Sequence, residues 1–398
     1  MTSPVVTGPF ALGEALAGRE QAALLRRRIA TDGPTGARLV VDGRDYLNLS
    51  ANDYLGLADH PAIKVAFKEG IDRHGAGAGA SPLVTGYSSA HQQLEETLAD
   101  WLGVEAVLLF NCGFSANQAV LKALLGKEHL LWQDRLNHAS LQEMGSQLPC
   151  RMKRFGHNDM AALERQLEPS RGLIVSEGVF SMDGDQGPWR ELATLAARSG
   201  NWLMIDDAHG LGVLGPEGRG TLAAQGVDPG SVHIQMGTFG KALGVAGAFV
   251  GGSRELVEYL VNFARHYVYS THMPAAQACA VSKSIGLVRA ADDARAHLGQ
   301  LIVRFRQGAE ALGWQLGASA TPIQPLLVGE SAAALQLAQR LRDSGVWVSA
   351  IRPPTVPVGT ARLRITLSAA HREKDVDSLL YALGPCPPGA GAEGACHA

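Results

Sequence analysis

Paired cysteines, long apolar runs and an excess of either charge are all missing from this 398-residue chain, and each absence closes off a class of function. The five cysteines (Cys112, Cys150, Cys279, Cys386 and Cys396) are odd in number, widely spaced and without a Cys-x-x-Cys pair. Neither a disulfide framework nor a zinc site is expected, and a reducing cytoplasm fits. No apolar stretch reaches the length of about 18 residues that a membrane helix needs, and no basic region followed by an apolar run opens the chain, so neither a span nor a signal peptide is expected. The formal charge of -3 offers no field to gather nucleic acid or an anionic membrane. A polyanionic ligand has to be held locally.

What is present is the composition of an ordinary folded protein, 46% hydrophobic and 18% charged, with 47 glycines that imply many tight turns. The length exceeds what one core usually holds, so a large domain with a smaller companion is expected. From Leu12 to Ile29 the pattern predicts an amphipathic helix ending in Arg26-Arg27-Arg28. Arg38–Val41 and Arg44–Leu49 flank Asp42-Gly43, a strong hairpin signal. The Gly-rich segment from His74 to Gly86 is no dinucleotide fingerprint, because no parallel-type strand precedes it and Pro82 interrupts it. A helix follows from Ser88 or Ser89 to Leu102.

Beyond it, apolar runs alternate with helical stretches: 106–110, 130–133, 173–176, 202–205, 232–236 and 248–251, with a helix over 116–125. Such alternation predicts a mostly parallel sheet with helices on both faces, whose ligands gather at the carboxyl ends of the strands. From Tyr259 the pattern is helical through Gln315. It then predicts a strand at 325–328, a helix at 331–344 and strands at 346–351 and 361–367. The expected division is an N-terminal helix and hairpin (1–50), a large domain (51–285), a small α/β domain (286–384) and a flexible Pro/Gly/Ala tail (385–398).

Polar residues fall where those runs end. Asp206 and His209 close the run Trp202–Ile205, and Lys241 stands alone among glycines and small apolar residues after Val232–Met236. An ammonium group in such surroundings loses hydration and its pKa falls, which suits a lysine that forms a Schiff base. Thr238 and the flanking glycines suit a phosphate beside that amine. Taken alone, the lysine stretch fits a strand with a Gly-rich turn and a surface lysine. Asp206 and His209 alone fit a helix N-cap with a loop histidine.

Seven motifs together resemble those of the fold-type I pyridoxal-phosphate enzymes, and among them the α-oxoamine synthases. They are Leu-Ser-Ala-Asn-Asp-Tyr-Leu-Gly56, Phe-Asn-Cys-Gly-Phe-Ser-Ala-Asn117, Asp-Arg-Leu-Asn-His-Ala-Ser140, Ser-Glu-Gly-Val-Phe-Ser-Met-Asp-Gly184, Ile-Asp-Asp-Ala-His-Gly210, Thr-Phe-Gly-Lys241 and Tyr-Ser-Thr271. The resemblance implies pyridoxal 5′-phosphate carried on Lys241, which also moves the Cα proton. Asp206 would pair with the pyridinium nitrogen, with His209 and Ser181 at the phenolic edge and His138 over the ring face. Gly113, Phe114 and Thr238 would hold the phosphate. Ser270 and Thr271 would come from the neighbouring subunit of a homodimer with a shared active site. Arg364 resembles the arginine that grips the amino-acid carboxylate, and a strand-face arginine in a surface salt bridge fits it equally well. Arg26, Thr355 and Asn52 match substrate-contacting positions, with His138 also facing substrate. No metal is implied.

The implied reaction condenses L-alanine with a pimeloyl thioester, on CoA or acyl carrier protein, to 8-amino-7-oxononanoate and CO2. Its near alternatives pair glycine with acetyl-CoA or succinyl-CoA, or serine with a long acyl chain. A non-catalytic nucleotide-binding α/β protein is the reading from another class. Two positions depart from the family pattern: Ser81-Pro82-Leu83 lacks the arginine often found there, and His272 follows Ser-Thr.

Overall fold

The computed structural model describes residues 10–387. Its centre is a seven-stranded sheet of β3 (Ala106–Phe110), β4 (Leu130–Asp134), β5 (Arg151–Phe155), β6 (Gly172–Glu177), β7 (Trp202–Asp206), β8 (Ile234–Thr238) and β9 (Ala248–Gly252), in the order β3-β9-β8-β7-β6-β4-β5. Strands β5, β4, β6, β7 and β8 are parallel, whereas β9 runs antiparallel to both of its neighbours. Successive side chains enter different cores: Leu131, Val175 and Met204 belong to one, and Trp132, Ile174 and Leu203 to another. That period of two, with both faces apolar, is what a helix-covered parallel sheet requires.

Two small sheets flank this one. Strands β1 (Arg38–Val41) and β2 (Arg44–Asn48) form a hairpin whose turn residues Asp42 and Gly43 have φ of 50° and 74°. This is the left-handed pair that an Asp-Gly turn supplies at low cost. The C-terminal half adds β10 (Ile323–Gly329), β11 (Val346–Trp347), β12 (Ser349–Ile351) and β13 (Ala361–Thr366). The single strand expected over 346–351 is instead two. Val346–Trp347 pairs in parallel with β2, and Ser349–Ile351 pairs antiparallel with β13. One apolar run thus serves two sheets and ties the N-terminal hairpin to the C-terminal sheet.

Two other expectations need correction. The first helix ends at Gln21, buries none of its residues, and gives way to Ala23 at φ 55°, whose carbonyl accepts from Arg352. With no apolar face packed, nothing extends it to Ile29. Arg26 therefore sits on irregular chain rather than at a helix end. The helical region after Tyr259 is broken between Val268 and Ala275 by a segment ending in Pro274. Of the expected tail, residues 388–398 lie outside the described residues. Cys386 before them is half-buried, and its backbone N–H donates to the Leu312 carbonyl at 2.8 Å. Among the described residues no helix is long and apolar enough to cross a membrane.

Candidate active site

Every parallel strand of the central sheet except the edge strand β5 delivers a polar residue to the same rim. Asp134, Glu177, Asp206 and Thr238 are the last residues of β4, β6, β7 and β8. The loops beyond carry His138, Ser181, His209 and Lys241. A parallel sheet with crossover helices opens its crevice there, so local sequence and topology agree on the position of the site.

Asp206 is 5% exposed. Its Oδ2 accepts from Asn117 Nδ2 at 2.8 Å, and its Oδ1 accepts from the Ala208 backbone at 3.1 Å. Asn117 also donates to Ser140 Oγ at 2.9 Å, which lies 2.8 Å from His138 Nδ1. The chain from Asp206 to His138 is thus fixed by two residues that the sequence reading did not single out. Asn117 lies one helical turn beyond Gly113, a spacing that aims it at the rim. Glu177 pairs in register with Asp206 and is 2% exposed. Burial, reinforced by the negative charge of Asp206, pushes the Glu177 carboxyl well above the usual range. Burial therefore favours the neutral form of Glu177 beside Asp206.

Lys241 Nζ lies 2.8 Å from His209 Nε2, and His209 Nδ1 lies 2.5 Å from the Tyr54 hydroxyl. Burial lowers the Lys241 pKa to about 8, against the pull of Asp206 and Glu177. Roughly a tenth of the lysine is then free amine at neutral pH, far more than at the ordinary value of 10.5. Burial also holds His209 well below the usual imidazole value, and the cations Lys241 and Arg364 add to the effect. The His209 ring is neutral. His138 opens to the cleft at the start of the Ala139–Gln147 helix, edge-on to the Phe114 ring at 6.3 Å.

An anion cup lies beside the amine. The Gly113–Leu124 helix starts with no side-chain cap, so its first N–H groups face outward. Among the described residues Thr238 Oγ1 is buried without a partner. A Cβ on Gly113 would meet Thr238 Cγ2 at 2.6 Å, so the cup closes only around glycine.

Arg364, on β13, is 7% exposed and among the described residues has only neutral acceptors: Ser181 O at 2.7 Å, Asn52 Oδ1 at 3.0 Å and Thr366 Oγ1 at 3.0 Å. Arg362, two positions earlier, is instead neutralised by Asp183 at 2.5 Å. The surface-salt-bridge reading of Arg364 fails, since the side chain is buried and its contacts carry no charge. A buried cation supplied with neutral acceptors alone calls for an anionic ligand. The Ser181 contact runs through its carbonyl, while its side chain is half-buried.

The structure also joins Arg26 to Thr355, by a 3.0 Å bond from the guanidinium to the hydroxyl, although both are exposed. Thr271 is exposed, with its carbonyl accepting from Asn111 at 2.7 Å, and Ser270 is half-buried beside it. His272, which breaks the family pattern, is buried against the His91 ring at 4.3 Å. Pro82 opens a π-helical turn over Pro82–Gly86.

Residues 44–383 match the family model described as Aminotransferase class I and II. The chain is 86% identical over 397 residues to the 8-amino-7-oxononanoate synthase of Aeromonas salmonicida strain A449, covering 100% of both sequences. Among solved structures, the serine palmitoyltransferase of Sphingomonas wittichii is 30% identical with a TM-score of 0.90, over 95% of this chain and 97% of that one. The serine palmitoyltransferase of S. paucimobilis with a bound PLP–myriocin aldimine is 27% identical with a TM-score of 0.88, over 94% and 95%. The mostly parallel sheet, the strand-end lysine and acid, and identity of this extent over the whole length converge: the chain belongs to the class I and II aminotransferase family and, within it, to the 8-amino-7-oxononanoate synthases.

Proposed function

We infer that the protein condenses L-alanine with a pimeloyl thioester, on CoA or acyl carrier protein, releasing CO2 and the free thiol and giving 8-amino-7-oxononanoate, the carbon-joining step of biotin biosynthesis. The observation that carries this reading is the placement of a depressed-pKa lysine and a buried, uncompensated arginine on one cleft. The amine can handle the Cα proton of an amino acid whose carboxylate the guanidinium holds.

Pyridoxal 5′-phosphate bound in this cleft supplies an electron sink conjugated to the amino-acid Cα. The residues fit it. Lys241 would hold it covalently, the uncapped start of the Gly113–Leu124 helix and Thr238 Oγ1 would take the phosphate, and Asp206 would keep the ring nitrogen protonated. His209 and Ser181 would serve its phenolic edge and His138 its face. Arg364 and Asn52 fix the alanine carboxylate, which aligns the Cα–H bond with the Lys241 amine. Lys241, freed when the alanine amine takes its place, accepts that proton, and the carbon so freed bonds to the thioester carbonyl as the thiolate leaves. Arg364 releases the carboxylate as CO2, and Lys241 returns a proton to the same carbon. Arg26 and Thr355 contact the acyl side. Ser270 and Thr271 serve the second active site of a homodimer, and the enzyme works in the cytoplasm, where its thiols stay reduced.

The test is a steady-state panel of alanine, glycine and serine crossed with pimeloyl, acetyl, succinyl and palmitoyl thioesters. Alanine with a pimeloyl thioester is expected to give the highest kcat/KM. Preference for glycine or serine rejects the assignment in favour of another α-oxoamine synthase.

A further inference from the structure

Tyr54 has no role in the scheme above, yet it is completely buried at the junction of the two groups the scheme depends on. Its hydroxyl lies 2.5 Å from His209 Nδ1 and 3.3 Å from Asn52 Oδ1. His209 continues to Lys241, and Asn52 continues to Arg364. A single phenol thus bridges the proton-handling lysine and the carboxylate-gripping arginine.

The phenol has one proton to give. Asn52 Oδ1 already accepts from Arg364 Nη1 at 3.0 Å, and 3.3 Å is long for a hydroxyl donor, whereas 2.5 Å to a ring nitrogen is short. The Arg364 guanidinium lies beside the phenol and opposes the rise that burial gives its pKa. A cation on that side turns the oxygen lone pairs toward Arg364 and the proton toward His209. A neutral imidazole carries one N–H. With Nδ1 occupied as an acceptor, that N–H must sit on Nε2, facing the Lys241 nitrogen, which accepts it as the uncharged amine.

We propose that Tyr54 is a positioning residue: its hydroxyl donates to His209 Nδ1 and so fixes His209 as an Nε2–H donor toward the lysine nitrogen and the phenolic oxygen of the cofactor. This deepens the reading given under Proposed function and rests on it for the cofactor. The orientation is nevertheless a property of the chain that holds whichever acyl thioester is used. A donor on the phenolic oxygen favours loss of the proton from the cofactor-bound lysine nitrogen. Losing that donor raises the pH at which the visible band titrates.

The test is a pH titration of the visible absorbance of the loaded protein, wild type against Tyr54→Phe, which keeps the ring and removes only the hydroxyl. The groups facing Lys241 and His209 from other elements, Asp206, Glu177, Asp207, His138 and Arg364, stay in place in that variant. The midpoint is expected to rise by about half a unit to one unit, the size of one net hydrogen bond. In a His209→Asn background the same substitution is expected to shift nothing further, because the effect passes through the imidazole. An unmoved midpoint, or an equal shift in both backgrounds, overturns the proposal. Should Tyr54→Phe fail to fold, ring-15N spectra of histidine-labelled wild-type protein decide directly. The proton of His209 on Nε2 supports the proposal, and on Nδ1 it overturns it. A failed substrate panel with an Nε2 proton would reject the assigned reaction and leave this assignment standing.

Discussion

Thr238→Val separates ligand recognition from fold stability at a single atom. The Thr238 hydroxyl oxygen is buried with no protein partner, beside the uncapped start of the Gly113–Leu124 helix. A buried hydroxyl left unpaired costs about 1–3 kcal/mol, whereas one that donates to a phosphate gains about 1.5–3 kcal/mol. Valine has nearly the same shape and removes the hydroxyl. Pyridoxal phosphate should therefore bind about ten- to a hundredfold more weakly. The cofactor-free protein should melt no lower than wild type, and up to about 2 °C higher. Gly113→Ala provides the contrast. Its Cβ would meet Thr238 Cγ2 at 2.6 Å, and a β-branched neighbour on a strand cannot swing away. It should lose affinity and stability together, the latter by about 1–3 kcal/mol. Equilibrium titration of the cofactor-free protein, followed by absorbance, gives the affinities, and calorimetry gives the melting points. Wild-type affinity in Thr238→Val, or a lowered melting point in that variant, would refute the assignment of this hydroxyl to the phosphate.

Three further outcomes follow from the same geometry. Capture of pyridoxal phosphate by the cofactor-free protein should accelerate as pH rises toward about 8 and then level, because the lowered Lys241 pKa sets the fraction of free amine; stopped-flow absorbance across pH 6 to 10 checks this, and a midpoint left near the ordinary lysine value of 10.5 contradicts it. Arg364→Lys keeps the charge but gives up the planar fork that reaches Ser181, Asn52 and Thr366, so kcat/KM for alanine should fall about ten- to a hundredfold, with saturation by the acyl thioester much less affected. Asp206→Asn keeps the size of the side chain but removes the charge that would keep the ring nitrogen protonated, so turnover should drop by orders of magnitude while cofactor binding weakens far less; a variant that turns over at half the wild-type rate would contradict the proposed role.

The central sheet was legible because its strands are buried on both faces and read as apolar runs. The exception shows why. Strand β5 reads Arg-Met-Lys-Arg-Phe, only Phe155 of it is fully buried, and it lies on the sheet edge, where charge is tolerated and even protective. Its sequence therefore carries no strand signal. The carboxyl ends of the inner strands could be inferred from the same runs, which is why Asp206, Thr238 and Lys241 stood out. Tyr54 and Asn117 did not, since each acts through a neighbour remote in sequence, and no local pattern encodes the partner. The arginines were ambiguous for a related reason. A buried Arg364 and an ion-paired Arg362 alternate on one strand, and only the fold shows which of them has a carboxylate of its own.

Strand β11 docks on the hairpin strand β2, matching Val346 to Leu47, and the backbone after β2 is held by Thr366 and Ala369. On the ribosome, the first fifty residues emerge long before their partners exist. At elongation rates of about 5–20 residues per second that interval is on the order of tens of seconds. The hairpin must wait with Tyr46, Leu47 and Leu49 uncovered until the end of translation closes the interface. Synthesis that stalls before Val346 would release a nascent chain with an open strand edge, a natural substrate for chaperones. Fusing a bulky tag at the amino terminus should be tolerated better than splitting the gene ahead of β11.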